Sequence, residues 1–338
     1  MNKRIGKQTV VLKSRPRIIA ATSIVGPKEG EGPLKDYFDI VLNDDLKGQD
    51  SFEKAESQIL YTAITDSIKK AGLKEQDIDY LLAGDLLNQI ISSSFAARSM
   101  DVPFLGLYGA CSTMTESLSI GAMLIDGEFA NHVIAATSSH FSAAERQFRY
   151  PLEYGAQRSP LSQWTVTGAG SMVLGKEGNF PYATYVTTGK VKDYGIVDSN
   201  NMGAAMAPSA VATISQHFKD TGRSPKDYDL IATGDLGDIG KDLTNKLLLE
   251  YGYDVSSIYI DCGSEIFDNE RQKTCSGGSG CGCSAVVDCG YIYKSLKNGK
   301  FKRVLLISTG ALMSTTSSLQ GETIPGVAHA VAIEYGTE

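Results

Sequence analysis

The chain repeats itself, and a repeat dictates architecture before any single motif does. Residues 72 to 86, GLKEQDIDYLLAGDL, align with residues 222 to 236, GRSPKDYDLIATGDL, at an offset of 150. Gly72/Gly222, Asp77/Asp227, Asp79/Asp229, Gly84/Gly234, Asp85/Asp235 and Leu86/Leu236 are identical. Each copy reads as a helix end, an acidic turn, a buried strand and a Gly-Asp turn. A second pairing, at 172, sets Cys111-Ser112 against Cys283-Ser284 and DGEFANHVIAAT (126 to 137) against NGKFKRVLLIST (298 to 309). A third, at 158, sets GAGSMVLG (168 to 175) against GVAHAVAI (326 to 333), and all three keep the same order. The changing offset locates insertions, one over roughly residues 252 to 275 in half two. The other is RQFRYPLEYGAQRSP, residues 146 to 160, in half one.

Short apolar runs (YLLAG, HVIAATS, DLIATG, RVLLIS) alternate with helically spaced segments such as residues 52 to 72, which is the pattern of an α/β protein with buried sheets. The division expected is an N-terminal half, 1 to 180, and a C-terminal half, 181 to 338. Residues 114 to 125 carry apolar side chains on two sides of a helix (Met114, Leu118, Ala122 and Ile125; Ile120, Met123 and Leu124), and a helix apolar all round is buried. Cys111 therefore stands at the start of an interior helix.

A length of 338 residues suffices for two such halves, and 42% hydrophobic with 21% charged residues is ordinary globular composition. A formal net charge of -7 without a run of Lys and Arg argues against a nucleic acid or an anionic bilayer as the main partner. The basic N-terminus, MNKRIGKQTVVLKSRPRI, lacks the apolar core of a secretory signal, and no segment has the length of a membrane span, so a soluble, unexported chain is expected. Six cysteines in such a chain read as thiols. Cys262, Cys275, Cys281, Cys283 and Cys289 lack a CxxC pair and a nearby His, which fits a structural zinc site poorly, so no metal is expected. GGSGCG (277 to 282) lacks the context of a nucleotide loop and reads as a tight turn into a buried helix; no cofactor follows.

Cys111 has two readings. A helix N-terminus lowers a thiol pKa and the thiolate is the nucleophile, whereas a buried Cys is also a small hydrophobe. Two α/β halves with a cysteine opening the first buried helix resemble the thiolase and ketoacyl-synthase superfamily. Within it, GPKEGEGPL (26 to 34), LAGDLLNQ (82 to 89), YGACSTMTESLSIGAMLIDG (108 to 127), SSHFSAAERQFRYPLEYG (138 to 155), NMGAAMAP (201 to 208), QHFKD (216 to 220), GGSGCGCSAVV (277 to 287) and STGALMS (308 to 314) resemble the SpoVAD-like family of sporulation proteins. The resemblance runs from about Gly6 to Tyr335. It implies a thiolase-like fold of two duplicated halves with buried central helices. It also implies binding of dipicolinic acid or its calcium chelate during uptake into the developing endospore. Action beside other SpoVA membrane proteins, at the spore inner membrane through them, and a homodimer are further implications.

A condensing enzyme of that fold also needs a proton acceptor and donors near the thioester carbonyl. In half two the first histidine would follow DLIAT, where this chain reads GDLGD, so Gly234 or Asp235 stands in its place. Cys281 occupies the place of the second. Of His132, His140, His217 and His329, only His140 is placed to reach the pocket. A carboxylate beside the thiol would raise its pKa and oppose the helix dipole. The catalytic set is incomplete, and a binding protein is expected, the alternative being a thioester-using acyltransferase or ketoacyl synthase with Cys111 as nucleophile.

Two ligand carboxylates want Arg or backbone N–H groups, and a flat pyridine ring wants an aromatic wall. Arg146, Arg149, Tyr150, Tyr154 and Arg158 of the insertion supply these, alongside the N–H groups at the Cys111 helix start. Taken singly, each Arg also reads as an ion-pair partner. Asp85 and Asp235 either hold turns and caps or orient the ligand.

Overall fold

A computed structural model describes residues 2–148 and 158–336. Ten strands of one large mixed sheet fall into two five-strand sets. In half one, in spatial order from the edge, the strands are Phe104–Gly106, Tyr80–Gly84, Val133–Ser139, Gly168–Gly175 and Arg17–Val25. In half two they are Tyr259–Asp261, Leu230–Thr233, Arg303–Ala311, Gly326–Glu334 and Tyr182–Thr187. The sets meet where Tyr182 pairs with Arg17. In both sets the first three strands run parallel and the next is antiparallel to its neighbours. The same order and directions recur at the spacing of the sequence repeat: this is a thiolase-like, duplicated α/β fold.

The repeated identities have structural causes. Gly72 and Gly222 end the helices Phe52–Lys70 and Met202–Thr221 at φ +71° and +70°, the left-handed conformation that glycine adopts without a Cβ penalty. Asp77 accepts from the Lys74 amide and Asp227 from the Ser224 amide, each at 2.8 Å, closing the same acidic turn. Asp79 accepts from the amides of Asn131 and His132, and Asp229 from those of Lys302 and Arg303, pinning one strand to the start of the next.

Five layers result. The helix Phe52–Lys70 starts on Ser51, whose hydroxyl accepts from the Lys54 amide, and buries Ala55, Ile59, Ala63 and Ile64 against the half-one strands. Met202–Thr221 covers the half-two strands in the same way. Between the two sets lie Thr113–Asp126 and the run Cys281–Val287, Asp288–Ile292 and Tyr293–Lys297, whose middle turn is π-helical. Thr113–Asp126 touches strands of both halves, while Cys281–Val287 packs on the half-one strands and reaches half two through Cys283 Sγ on Gly234 O. Met114, Leu118, Ala122 and Ile125 are wholly buried, as expected for a helix apolar on two sides.

Residues Arg4–Ile5 and Thr9–Val11 form a hairpin that attaches to half two through Tyr182–Thr187. Asp220 holds it there, accepting from the Lys7 and Gln8 amides at 3.0 and 2.8 Å, from Thr9 Oγ1 at 3.0 Å and from Gln216 Nε2. These donors keep its carboxyl below the usual range against a partial burial that acts to raise it. Asp220→Ala is expected to cost about 1–3 kcal/mol by leaving those donors unpaired. Amide exchange of residues 7 to 11 measures it: protection unchanged in the variant would mean that the strand pairing alone holds the hairpin. No helix among the described residues is long and apolar enough to cross a membrane.

Candidate functional site

Cys111 sits on a strained turn. Ala110 has φ +49°, a conformation that costs a non-glycine residue about 1–2 kcal/mol. The turn is held by its own hydroxyls: Ser112 Oγ donates to Gly109 O and Thr113 Oγ1 to Ala110 O, each at 2.7 Å. The other half closes over it, for a Cβ on Gly310 would lie 2.2 Å from Gly109 O. Only glycine lets that strand approach so closely.

Half two brings two groups to the thiol. Cys281 hydrogen-bonds Cys111 and donates its own S–H to Ala110 O at 3.1 Å. The Asp235 carboxylate shares the single Cys111 proton with the Cys281 sulfur, and is fixed by Gly280 N and Thr309 Oγ1 at 2.9 Å and Ser279 Oγ at 3.2 Å. Gln163 Nε2 binds both Asp235 O and Gly278 O at 2.7 Å and sets the turn beneath it. Burial lifts the Asp235 carboxyl to about 6, so at neutral pH it is an anion beside the thiol. The Cys281 hydrogen bond, burial and the Asp235 charge together push the Cys111 thiol far above its ordinary value. The helix N-terminus, worth about 0.3–1 kcal/mol in the opposite sense, is outweighed.

Cys111 lines a small cavity of about 60 Å³ together with Leu86, Tyr108, Glu145, Phe148, Met202 and Met313. Leu86, Tyr108, Phe148 and Met313 also line a wider cavity of about 480 Å³, which adds Asn88, Gln89, Gln147, Ser314 and Ser317. The second volume lies in the ~300–1,000 Å³ range of small-molecule sites. The inner space is thus the closed end of an outer vestibule walled by two aromatic rings.

The remaining residues expected at the site go elsewhere or divide. Asp85, the repeat partner of Asp235, accepts from Leu87 N at 2.9 Å and Ser93 N at 2.7 Å, which is a turn and cap role away from the thiol. The structure does not bring His140 to either cavity. Its Nε2 lies 2.8 Å from Asp45 O and its Nδ1 accepts from Ser142 N at 3.1 Å, so the ring caps the helix Phe141–Phe148, neutral because burial lowers its pKa. Arg146 pairs with Glu53. Arg158 is bound 2.7 Å from Glu145 Oε1 and 2.8 Å from Gln163 O, with its guanidinium over Trp164; it stands behind the cavity wall that Glu145 forms. Arg149, Tyr150 and Tyr154 lie outside the described residues.

His132 meets Asp77 O. His217 is buried between Thr187 and Tyr228, and burial lowers it to about 3. His329 accepts from Gly189 N, and burial lowers it to about 4. Cys283, the repeat partner of Cys111, is core, with its thiol on Gly234 O. All six cysteines are free, and among the described residues no group of three or more His, Cys, Asp or Glu is placed to hold a metal ion.

Sequence reasoning missed Tyr108, Phe148, Met202 and Met313 as walls, and Ser279, Thr309 and Gln163 as the groups that set Asp235. Thr309 carried a signal, being the repeat partner of Thr137 at the spacing that pairs Cys111 with Cys283. The apolar walls carried none, since a Met or Phe at a helix end reads as core.

The chain matches the family described as "Stage V sporulation protein AD (SpoVAD)" over residues 6–334. It is 46% identical over 332 residues to stage V sporulation protein AD of Bacillus subtilis (strain 168), covering 98% of each chain. Among solved structures it resembles OleA of Xanthomonas campestris. One cerulenin-bound OleA variant gives a TM-score of 0.61 at 13% identity over 95% of this chain and 97% of that one. Acetamide-bound OleA gives 0.63 at 12% identity over 96% and 100%. Identity at that level speaks for the fold alone.

Proposed function

The chain belongs to the stage V sporulation protein AD family, and from that membership we propose that it is a non-catalytic small-molecule binder that takes dipicolinate, free or as its calcium chelate, during uptake into the developing spore. The observation that carries the non-catalytic part is Asp235. An anion hydrogen-bonded to Cys111 stands where thioester chemistry would want a proton-accepting imidazole, and it holds the sulfur as the unreactive thiol. None of the four histidines lines either cavity around Cys111.

The vestibule supports a flat ligand. Tyr108 and Phe148 offer ring faces, while Asn88, Gln89, Gln147, Ser314 and Ser317 offer neutral polar groups. Among the described residues no Arg or Lys lines it, so the charge complement for two carboxylates is assigned to Arg149, which follows Phe148 directly in the chain. Delivery through membrane partners and assembly as a homodimer belong to the same reading and rest on the family resemblance.

Calorimetric titration with dipicolinic acid, with and without calcium, tests it. Stoichiometric heat is expected, retained in Cys111→Ala and weakened about tenfold or more in Arg149→Ala, the loss of one charge-assisted pair of about 1.5–3 kcal/mol. Absence of heat in the wild type under both conditions would sink it. One observation favours the other reading, an acyltransferase or ketoacyl synthase: Cys111 still lines a cavity that shares walls with the vestibule. Intact mass after incubation with acetyl-CoA or malonyl-CoA separates the two, because only the enzyme forms an adduct that Cys111→Ala abolishes.

A further inference from the structure

A separate cavity of about 380 Å³ lies on half two, lined by none of the residues around Cys111. Its floor is one face of the helix Met202–Thr221, where Pro208, Val211, Ala212, Ser215 and Lys219 are linked by the i, i+3 and i, i+4 relations of one helix face. One wall is the segment carrying Lys192 and Tyr194. The other is the end of the helix Gly237–Glu250, with Leu247 and Tyr251.

Three features of this groove remain unaccounted for by folding. Tyr194 and Tyr251 leave 67% and 60% of their surface in water, a large aromatic exposure for side chains flanking a concavity. Among the described residues neither Lys192 nor Lys219 has a carboxylate partner, although the chain carries a net charge of -7. Lys192 is not a loose surface residue: its N–H and C=O exchange hydrogen bonds with Gly326 at 2.8 and 2.7 Å, which fixes the segment against the sheet. Ser215, only 5% exposed, has a buried hydroxyl without a partner among the described residues, where a helical serine would ordinarily bond back to a carbonyl one turn earlier.

Two cations, one on a backbone held against the sheet, with two aromatic rings, an apolar floor and one unsatisfied hydroxyl are together the parts that recognise a planar anion. The rings and the Pro208–Val211–Ala212 floor take an aromatic face, the ammonium groups take carboxylate oxygens, and Ser215 has a donor to give. We propose that this groove is a second small-molecule site, selective for an aromatic carboxylate. The assignment is independent of what the Cys111 cavity holds.

Protection from acetylation tests it on the intact chain. Lys192 and Lys219 are labelled with acetic anhydride alone, with benzene-1,3-dicarboxylate, with cyclohexanecarboxylate and with inorganic phosphate, and each site is read by peptide mass spectrometry. The expected result is that benzene-1,3-dicarboxylate slows labelling of both lysines about threefold or more, as mass action requires once occupancy passes roughly two thirds. Lys54, which is exposed and remote in sequence, is expected to be unaffected. Ala212→Phe, which fills the floor, is expected to remove the protection with an unchanged circular-dichroism spectrum. Equal labelling with and without the aromatic probe in the wild type overturns the site. Equal protection by phosphate or by cyclohexanecarboxylate overturns its aromatic selectivity. Because the readout is local to Lys192 and Lys219, ligand bound near Cys111 leaves it unmoved.

Discussion

Asp235→Asn is expected to raise the rate at which iodoacetamide alkylates Cys111 at pH 8 by at least about tenfold. The thiolate is the reactive form, and each pKa unit removed from a thiol that is almost wholly protonated multiplies the thiolate tenfold. The Asp235 anion contributes to the high thiol pKa both through its charge and through its hydrogen bond, and asparagine removes the charge while keeping size and shape. Cys281→Ala is expected to act in the same direction, because the Cys281 hydrogen bond is the largest of the influences that raise the thiol. Peptide mass spectrometry over time reads both variants. Alkylation unchanged in the two would mean that burial alone keeps the sulfur inert, and the proposal that Asp235 holds Cys111 as an unreactive thiol would fall. Asp235→Asn leaves one acceptor position opposite Gly280 N, Ser279 Oγ or Thr309 Oγ1 occupied by an NH2 group, so some loss of stability accompanies the gain in reactivity.

Stability is expected to fall between pH 6.5 and pH 9 by about 2 kcal/mol more in the wild type than in Glu29→Gln, from the linkage between proton binding and folding. Glu29 is 1% exposed. Its Oε1 accepts from Thr167 N at 2.9 Å, while Oε2 has no partner among the described residues. Burial lifts its carboxyl from 4.5 to about 8, a charged neighbour at Asp45 adding to the effect. A carboxyl raised in the folded state stabilises fully below its unfolded pKa, and that contribution is lost as the pH climbs through the folded value. The window for Glu29 is therefore pH 4.5 to 8, with a nearly even slope of about 1.4 kcal/mol per pH unit that levels off near the upper end. Across the whole window the shift of 3.5 units corresponds to about 5 kcal/mol. Asp261, lifted by burial to about 7, adds a loss of the same sign at slightly lower pH. Urea unfolding at the two pH values measures the difference. Parallel pH curves for wild type and variant would show that Glu29 is ionised in the folded protein at neutral pH.

The architecture was legible because the repeat is made of residues with local duties. Gly72 and Gly222 are helix stops, Asp77 and Asp227 are turn caps, and Asp79 and Asp229 tie neighbouring strands; each duty leaves a residue type at a set distance, and duplication doubles the signal. The two-sided apolar pattern of residues 114 to 125 likewise announced a helix between layers. The candidate site was less legible. Asp85 and Asp235 are the same letter at the same place in each repeat, yet one caps a turn and the other touches a thiol. His140 ended the right strand but turned its nitrogens to Asp45 O and Ser142 N. Arg146 and Arg158 belonged to one inserted segment, and each found a carboxylate of its own chain, Glu53 and Glu145. A charge in sequence has no address until the partner that neutralises it is known.

What the sequence determined by itself is the duplicated α/β fold and the interior helix behind Cys111. These are matters of residue type and spacing along the chain, so one dimension carries them. What only the tertiary structure decided is the company of the thiol. Cys281 reaches Ala110 across 171 residues, and Asp235 is set by Gln163, Ser279, Gly280 and Thr309 from three separate places in the chain. The pKa of a buried group depends on distances to such neighbours and on the water excluded around it, and neither quantity exists until the two halves close on each other.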